Sequence, residues 1–357
     1  MKRHRTGLLL ALALLLLNFW VNRKIFEYGA QPYRGSIESG YAGISRFFAE
    51  HPNPWGWNPY MYCGLAAHNT YLPGPPYAVA ASMWAKPDWP ALKAYRTVTG
   101  IFACLGPVTL FLFLWYATQS PLWSFLAALA YSLCSPSYDL FTTIDRDRGL
   151  LPIPWRLHVM LKYGEGPHNM GLMLFPLALI GVMEARKGGF PRIFLGAIGL
   201  AAVAVTHWIA AFALAIACVL LLISNRTGFW NIAAAGVLGY GLVCFWLTPE
   251  FVRTVAFNWP QDAFGYKLLA KQRMALGLIA GAAAAIWLAF RRHSRYQYLC
   301  WATMCFVVFA GFAESHYAYG ADAIPEARRY ALEMELFLVV AVAEWLRMGW
   351  KAGGGVN

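Results

Sequence analysis

The chain has 357 residues, of which 59% are hydrophobic and only 13% charged, and its mean hydropathy is +0.46. Soluble globular proteins sit near half apolar and a quarter charged, so these values exclude a disordered chain, a coiled coil and an ordinary cytosolic enzyme. The net charge of +12 does not argue for nucleic acid, because the Lys and Arg form no basic stripe; no nucleic-acid partner is expected. They stand at the ends of apolar runs, where charge sorting across a membrane and contact with lipid headgroups account for them.

In chain order the apolar runs fall near 7–22, 97–117, 121–137, 169–184, 193–206, 208–224, 229–248, 274–290, 298–313 and 330–346. The first follows Met1–Arg5, has no small-residue cleavage site, and reads as an uncleaved helix starting in the cytoplasm. Several runs are shorter than the ~20 residues of a straight span. The pair 193–206 and 208–224, broken by Thr206-His207-Trp208, predicts a hairpin of short helices. The expected fold is all-α and integral to the membrane. It is a single polytopic domain over 1–357 of about ten transmembrane or half-membrane helices, without a soluble C-terminal domain.

Alternating from an inside start gives short inside loops that carry Arg186, Lys187, Arg192, Arg226, Arg291, Arg292 and Arg295, with Glu184 as their acid. The opposite loops, near 23–96, 138–168, 249–273 and 314–329, are long and hold nearly every other acid. That is the positive-inside pattern. It predicts a multi-pass protein of the inner (cytoplasmic) membrane with both termini cytoplasmic and long outer, periplasmic loops. Segment 23–96 is dense in Trp, Tyr and Pro and is expected to be partly folded on the membrane surface. Loops of that length usually carry function. The seven Cys form no CxxC pair and read as small core residues.

The candidate chemistry lies on the outer side. Glu38, with a glycine on either side at Gly35 and Gly40, offers a general base for an acceptor hydroxyl; the plain alternative is a solvated loop acid. Glu27 has the same options, with Arg23 and Lys24 as local partners. Asp145 and Asp147 offer oxygen ligands for a divalent cation, the one cofactor considered. Each is followed by Arg, so a neutralised loop is the alternative. His168 and Asn169 follow Pro167 at a helix start, where backbone N–H groups favour an anion. His207 interrupts an apolar region, and a polar residue at membrane depth is a functional candidate. Arg328 and Arg329 stand at the mouth of the last helix, with Glu333 and Glu335 inside it. Arg329 and Glu333 are i, i+4 neighbours that are expected to pair. Arg328 is left for a phosphate, which suits its donor fork.

Five segments together resemble a known family. They are Trp57-Asn58-Pro59-Tyr60-Met61-Tyr62-Cys63-Gly64 with the Tyr-Pro-rich stretch after it, Glu165-Gly-Pro-His168-Asn169, Thr206-His207, Phe245-Trp246-Leu-Thr-Pro249-Glu250, and Arg328-Arg329-Tyr330-Ala-Leu-Glu333. The layout is similar to polytopic GT-C class glycosyltransferases, and more closely to the pyruvoyl-tetrahydropterin-synthase-related membrane protein family. The resemblance implies a GT-C-like fold and transfer of a sugar from a lipid-linked, polyprenyl-phosphate donor to an acceptor of unknown identity on the outer face. It implies that an acid early in the first outer loop acts as base. Glu38 fits by position and Glu27 is its alternative, although Asp is commoner there. Arg328, Arg329, His168 and Asn169 would then hold the donor phosphate. Trp57, Asn58, Tyr60, Tyr62, His207 and Glu333 would line the substrate cavity. Many such proteins carry a further soluble domain, so a partner protein is expected to replace it beside the membrane lipids. The rival reading is a non-catalytic GT-C-like subunit packed in a larger complex. A transporter lacks the expected repeats.

Overall fold

The computed structural model describes residues 2–27, 36–53, 55–59, 63–69, 71–149, 153–257 and 267–352. Among them are sixteen α-helices and one pair of two-residue strands. The helices are α1 (Lys2–Val21), α2 (Glu38–Glu50), α3 (Gly74–Ala85), α4 (Ala91–Thr118), α5 (Pro121–Leu133), α6 (Ser137–Leu140), α7 (Thr142–Arg148) and α8 (Trp155–Tyr163). They continue as α9 (Gly166–Ala185), α10 (Phe190–Ala204), α11 (Trp208–Ser224), α12 (Phe229–Val243), α13 (Pro249–Phe257), α14 (Ala270–Phe290), α15 (Gln297–Tyr317) and α16 (Ala331–Ala352). The strands β1 (Trp57–Asn58) and β2 (Leu65–Ala66) pair antiparallel between α2 and α3.

The fold is all-α, as the apolar runs predict. Four helices are long and apolar enough to cross a membrane: Ala91–Thr118, Gly166–Ala185, Ala270–Phe290 and Ser294–Tyr317. Five further apolar helical stretches, Arg5–Val21, Pro121–Leu133, Phe190–Ala204, Trp208–Ser224 and Phe229–Val243, are shorter, and α16, with Glu333, Glu335, Glu344 and Arg347, is not among the four. The 15 residues of α10 reach only about 22 Å at ~1.5 Å per residue, short of a hydrocarbon core of ~30 Å. As the break at Thr206-His207 predicts, α10 and α11 form a hairpin closed by residues 205–207. The run 121–137 is not one helix. It stops at Leu133, because Pro136 disfavours helical backbone at Ser135, and a four-residue helix follows.

Two contacts fix the relative direction of α4 and α9. Near their starts the Tyr95 hydroxyl donates to Gly164 O at 2.9 Å. Near their ends the Tyr116 hydroxyl donates to Glu184. The two helices therefore run parallel. The start of α16 lies beside the start of α9, since His168 bonds Glu333. The bundle thus has an upper end, where α4, α9 and α16 begin, and a lower end, where they finish. Aromatic side chains fill the interior between α4, α9, α15 and α16. Phe113, Phe175, Trp301, Phe309 and Phe337 are all buried there, and Trp301 Nε1 donates to Ala217 O of α11 at 2.8 Å, so its one polar atom is satisfied. By contrast α14 buries only Ala283 and stands at the rim.

Segment 23–96 holds α2, the strand pair and α3, and it docks on the upper end. Gly74 N donates to Val205 O at 2.9 Å in the α10–α11 turn, and Trp246 Nε1 donates to Tyr71 O at 2.9 Å.

Candidate functional site

Residues 163–169, the turn between α8 and α9, gather the upper end of the bundle. Tyr163 O accepts from Ile37 N at 3.0 Å, which docks the start of α2. Gly164 has a φ of +79°, and a Cβ there would fall 2.4 Å from Glu38 N. Only glycine allows both the conformation and the approach. Tyr95 of α4 bonds Gly164 O and stacks on Tyr41 of α2 at 6.1 Å between ring centres.

Glu38 is therefore not a loop carboxylate. It is the first residue of α2, only 6% exposed. Arg96 of α4 grips it as a fork, Nε to Oε1 at 2.7 Å and Nη2 to Oε2 at 3.1 Å. The sequence expectation of a flexible, solvated acid is corrected on this point, because the fork fixes both oxygens. Arg96 was not foreseen. Its signal was a cation at the outer edge of an apolar run, where charge sorting alone would not put one. Glu27 is exposed at the end of a short 3-10 turn and makes no ion pair among the described residues, so the expected pairing with Arg23 or Lys24 does not form.

Glu165, one residue further along the turn, is buried and pairs through Oε1 with Arg329 Nη1 at 2.9 Å. Arg329 also donates from Nε to Glu326 at 2.8 Å. Burial pushes the Glu165 carboxyl up, against the pull of the Arg329 charge, and Glu326 adds to the rise. The expected i, i+4 pair of Arg329 with Glu333 does not form. Residues 327–330 are a 3-10 turn rather than the first turn of α16, and this swings Arg329 toward Glu165. Arg328 is the outlying member, with its side chain 55% exposed and its Nε 3.5 Å from Glu326. The two arginines are thus unequal. Glu326, which holds both, was not singled out in the sequence although it lies in the same cluster.

One turn deeper, His168 Nε2 lies 2.8 Å from Glu333 Oε1, and both side chains are almost wholly buried. His207, the N-cap of α11, stacks on His168 with 4.3 Å between ring centres. Gly171 permits this, since a Cβ there would sit 2.8 Å from Ala210 Cβ and 3.1 Å from His207 Cβ. The second oxygens of Glu165 and Glu333 are buried and accept no hydrogen bond from a described residue. Asn169, next to His168, donates to Arg156 O at 2.8 Å. This bond anchors α9 to α8. Glu335 accepts from Ser135 and Ser137.

The remaining candidates lie apart. Asn58 is buried in β1, whereas Trp57 is 64% exposed with its indole against Gly64. Tyr60 and Tyr62 lie outside the described residues. Asp145 is bound by Arg148 at 2.9 Å. Asp147 is bound by Lys162 at 2.5 Å and by the Tyr163 hydroxyl at 2.7 Å. These partners leave the two Asp a poor fit to a divalent cation, and among the described residues no group of three His, Cys, Asp or Glu is arranged to hold a metal.

The arrangement has a clear chemical character. Two carboxylate–guanidinium pairs, Glu38–Arg96 and Glu165–Arg329, flank one turn, and a buried His–Glu pair lies beneath it. An anion reaching the upper end would meet Arg328 first, and then Arg329 once Glu165 or Glu326 gives way. Compared with known proteins, the chain matches no family model and no curated sequence.

Proposed function

We propose that the chain is a membrane-embedded glycosyltransferase of GT-C-like architecture, with ten membrane-inserted helices. It would move a sugar from a polyprenyl-phosphate donor to an acceptor hydroxyl at the upper, outward-facing end. The observation that carries this reading is convergence. Glu38, the Glu165–His168 turn and the Arg329–Glu333 segment are three separate stretches of sequence, yet the first and third both contact residues 163–169.

In this reading Arg96 orients the Glu38 carboxylate, which takes the proton of the acceptor hydroxyl as the hydroxyl oxygen bonds the anomeric carbon. The anomeric carbon–oxygen bond to phosphate breaks, and its electron pair leaves with the phosphate. Arg328 and Arg329 stabilise that developing charge. The His168–Glu333 pair holds the start of α9 against α16, which keeps Glu165 opposite Arg329.

A second reading rests on a specific observation: Glu38 and Arg329 are already neutralised by partners within the chain. Self-satisfied ion pairs also suit a non-catalytic membrane subunit that packs against a partner protein. The test is turnover of polyprenyl-phosphate sugars by purified wild type and Glu38→Gln in lipid. The enzyme reading expects activity in wild type and a loss of ~10²-fold or more in the variant. Full activity in the variant removes Glu38 from the chemistry. A wild type inert toward a panel of donors favours the subunit.

A further inference from the structure

A cavity lies near the upper end, away from the turn just described. It has a volume of about 360 Å³ and is lined by Leu133, Cys134, Ser135, Tyr138, Asp139, Arg148, Ile153 and Pro154. None of these belongs to the Glu38, Glu165 or His168 groups. Its size lies within the range of small-molecule pockets.

The floor and walls are built. Ser135 donates to the buried Glu335 of α16 and accepts from Trp155 N at 2.9 Å. The Tyr138 hydroxyl donates to Ile153 O at 2.6 Å. The rim carries opposite charges. Arg148 lies over the Tyr138 ring at 4.4 Å and pairs with Asp145 at 2.9 Å through one Nη, so its fork retains further donors. Asp139 is exposed and makes no ion pair among the described residues. A small cavity lined by both a guanidinium and a carboxylate without an ion pair suits a zwitterion.

The remaining observation concerns where such a ligand enters. Leu133 lines the cavity and ends an apolar stripe on α5. Leu122, Leu126 and Leu133 are 59%, 44% and 50% exposed, and their spacing of four and seven residues places them on one helix face. A polar headgroup in the cavity would lay an acyl chain along that stripe.

We propose that this cavity binds the headgroup of an ethanolamine phospholipid, with its phosphate on Arg148, its ammonium on Asp139 and a chain along α5. The site depends on the chain lying in a bilayer, but not on its being a glycosyltransferase. A primary ammonium donates hydrogen bonds to a carboxylate and a trimethylammonium does not, so Asp139 should prefer ethanolamine over choline.

The test uses the full chain in nanodiscs of mixed ethanolamine, choline and glycerol phospholipids, followed by mild detergent and native mass spectrometry of the retained lipid. Wild type should keep the ethanolamine lipid about tenfold over the choline lipid, the size of one charge-assisted hydrogen bond. Asp139→Asn should keep phospholipid but lose that preference, and Arg148→Gln should lose retention of all three. Asp139 is exposed, so its variant decides the matter even if Arg148→Gln proves unstable. Equal retention across wild type and Asp139→Asn would overturn the proposal. Retention of no phospholipid by wild type, with saturable binding of free O-phosphoethanolamine, would overturn the lipid source and leave a site for a soluble phosphoester.

Discussion

Arg328 and Arg329 are adjacent, yet their surroundings give them different work. Arg329 holds Glu165 and Glu326, and Glu165 is buried. Replacing Arg329 by Gln strands a buried carboxylate, which costs roughly 1–3 kcal/mol. Replacing the exposed Arg328 removes little structure, and Arg328→Gln should stay within ~0.5 kcal/mol of wild type. Unfolding midpoints in mixed micelles would compare the two. If the upper end binds a donor phosphate, Arg328→Gln should still weaken donor use by about tenfold, the worth of a charge-assisted bond. A stable Arg328→Gln with an unchanged donor dependence would assign phosphate binding elsewhere. The sequence made this cluster legible but not its pairing. Spacing proposed Arg329 with Glu333, four residues on. The actual partner Glu165 is far away in the chain, and only the 3-10 turn at 327–330 aims the guanidinium at it. The same holds for Arg96 with Glu38, a pairing across 58 residues that no local pattern announces.

At the level of elements, the turn before α9 is the joint on which the upper end depends. Gly164→Ala would force a non-glycine residue to φ +79° and bring its Cβ to 2.4 Å from Glu38 N. A backbone atom cannot swing aside, so α2 must shift. The cost should be about 1–3 kcal/mol, with faster amide exchange confined to residues 36–50 while α4 and α9 keep their protection. Uniform loosening would mean that the turn is not a local joint. A second link, between α7 and α8, is sensitive to pH. Burial pushes the Asp147 carboxyl up, but hydrogen bonds from Lys162 and Tyr163 outweigh this and hold it below the ordinary range. A depressed carboxyl adds stability above its unfolded pKa of ~3.9 and loses it as pH falls through the lower folded value. Protection factors in 142–149, corrected for the intrinsic pH dependence of amide exchange, should therefore fall on acidification below about pH 4 and fall less in Asp147→Asn. The apolar helices themselves were legible, because burial in a bundle or a bilayer needs long apolar runs. The short helices α2, α3, α6, α7 and α8 were not resolved by sequence, since their residues mix polar, aromatic and proline positions and owe their shape to docking on the bundle.

Across the whole molecule, the two ends of the bundle differ in charge, and this leads to a test of orientation. The lower end gathers Arg186, Lys187 and Arg192 beside Glu184, then Arg226, Arg291, Arg292, Arg295 and Arg347 in the other turns and helix ends there. The acids Glu38, Asp139, Asp147, Glu165 and Glu326 belong to the upper end, several of them paired with its few arginines. Basic short loops are retained in the cytoplasm, so the lower end should face inward and the upper end outward. The cysteines offer a direct readout. Cys63 and Cys134 are exposed and Cys244 is half-buried, whereas Cys104, Cys218, Cys300 and Cys305 are buried. Cys63 lies in the segment that docks on the upper end, and Cys134 lines the upper cavity. An impermeant maleimide added to intact cells should therefore label the wild-type chain, and a Cys63→Ser, Cys134→Ser, Cys244→Ser triple variant should lose that label. In this background Ser294→Cys, in the exposed turn before α15, should react only after the membrane is opened. Tyr319→Cys, at a position 74% exposed beyond the upper end of α15, should react from outside. The reverse pattern at positions 294 and 319 would invert the molecule and place the Glu38–Glu165–Arg329 turn in the cytoplasm.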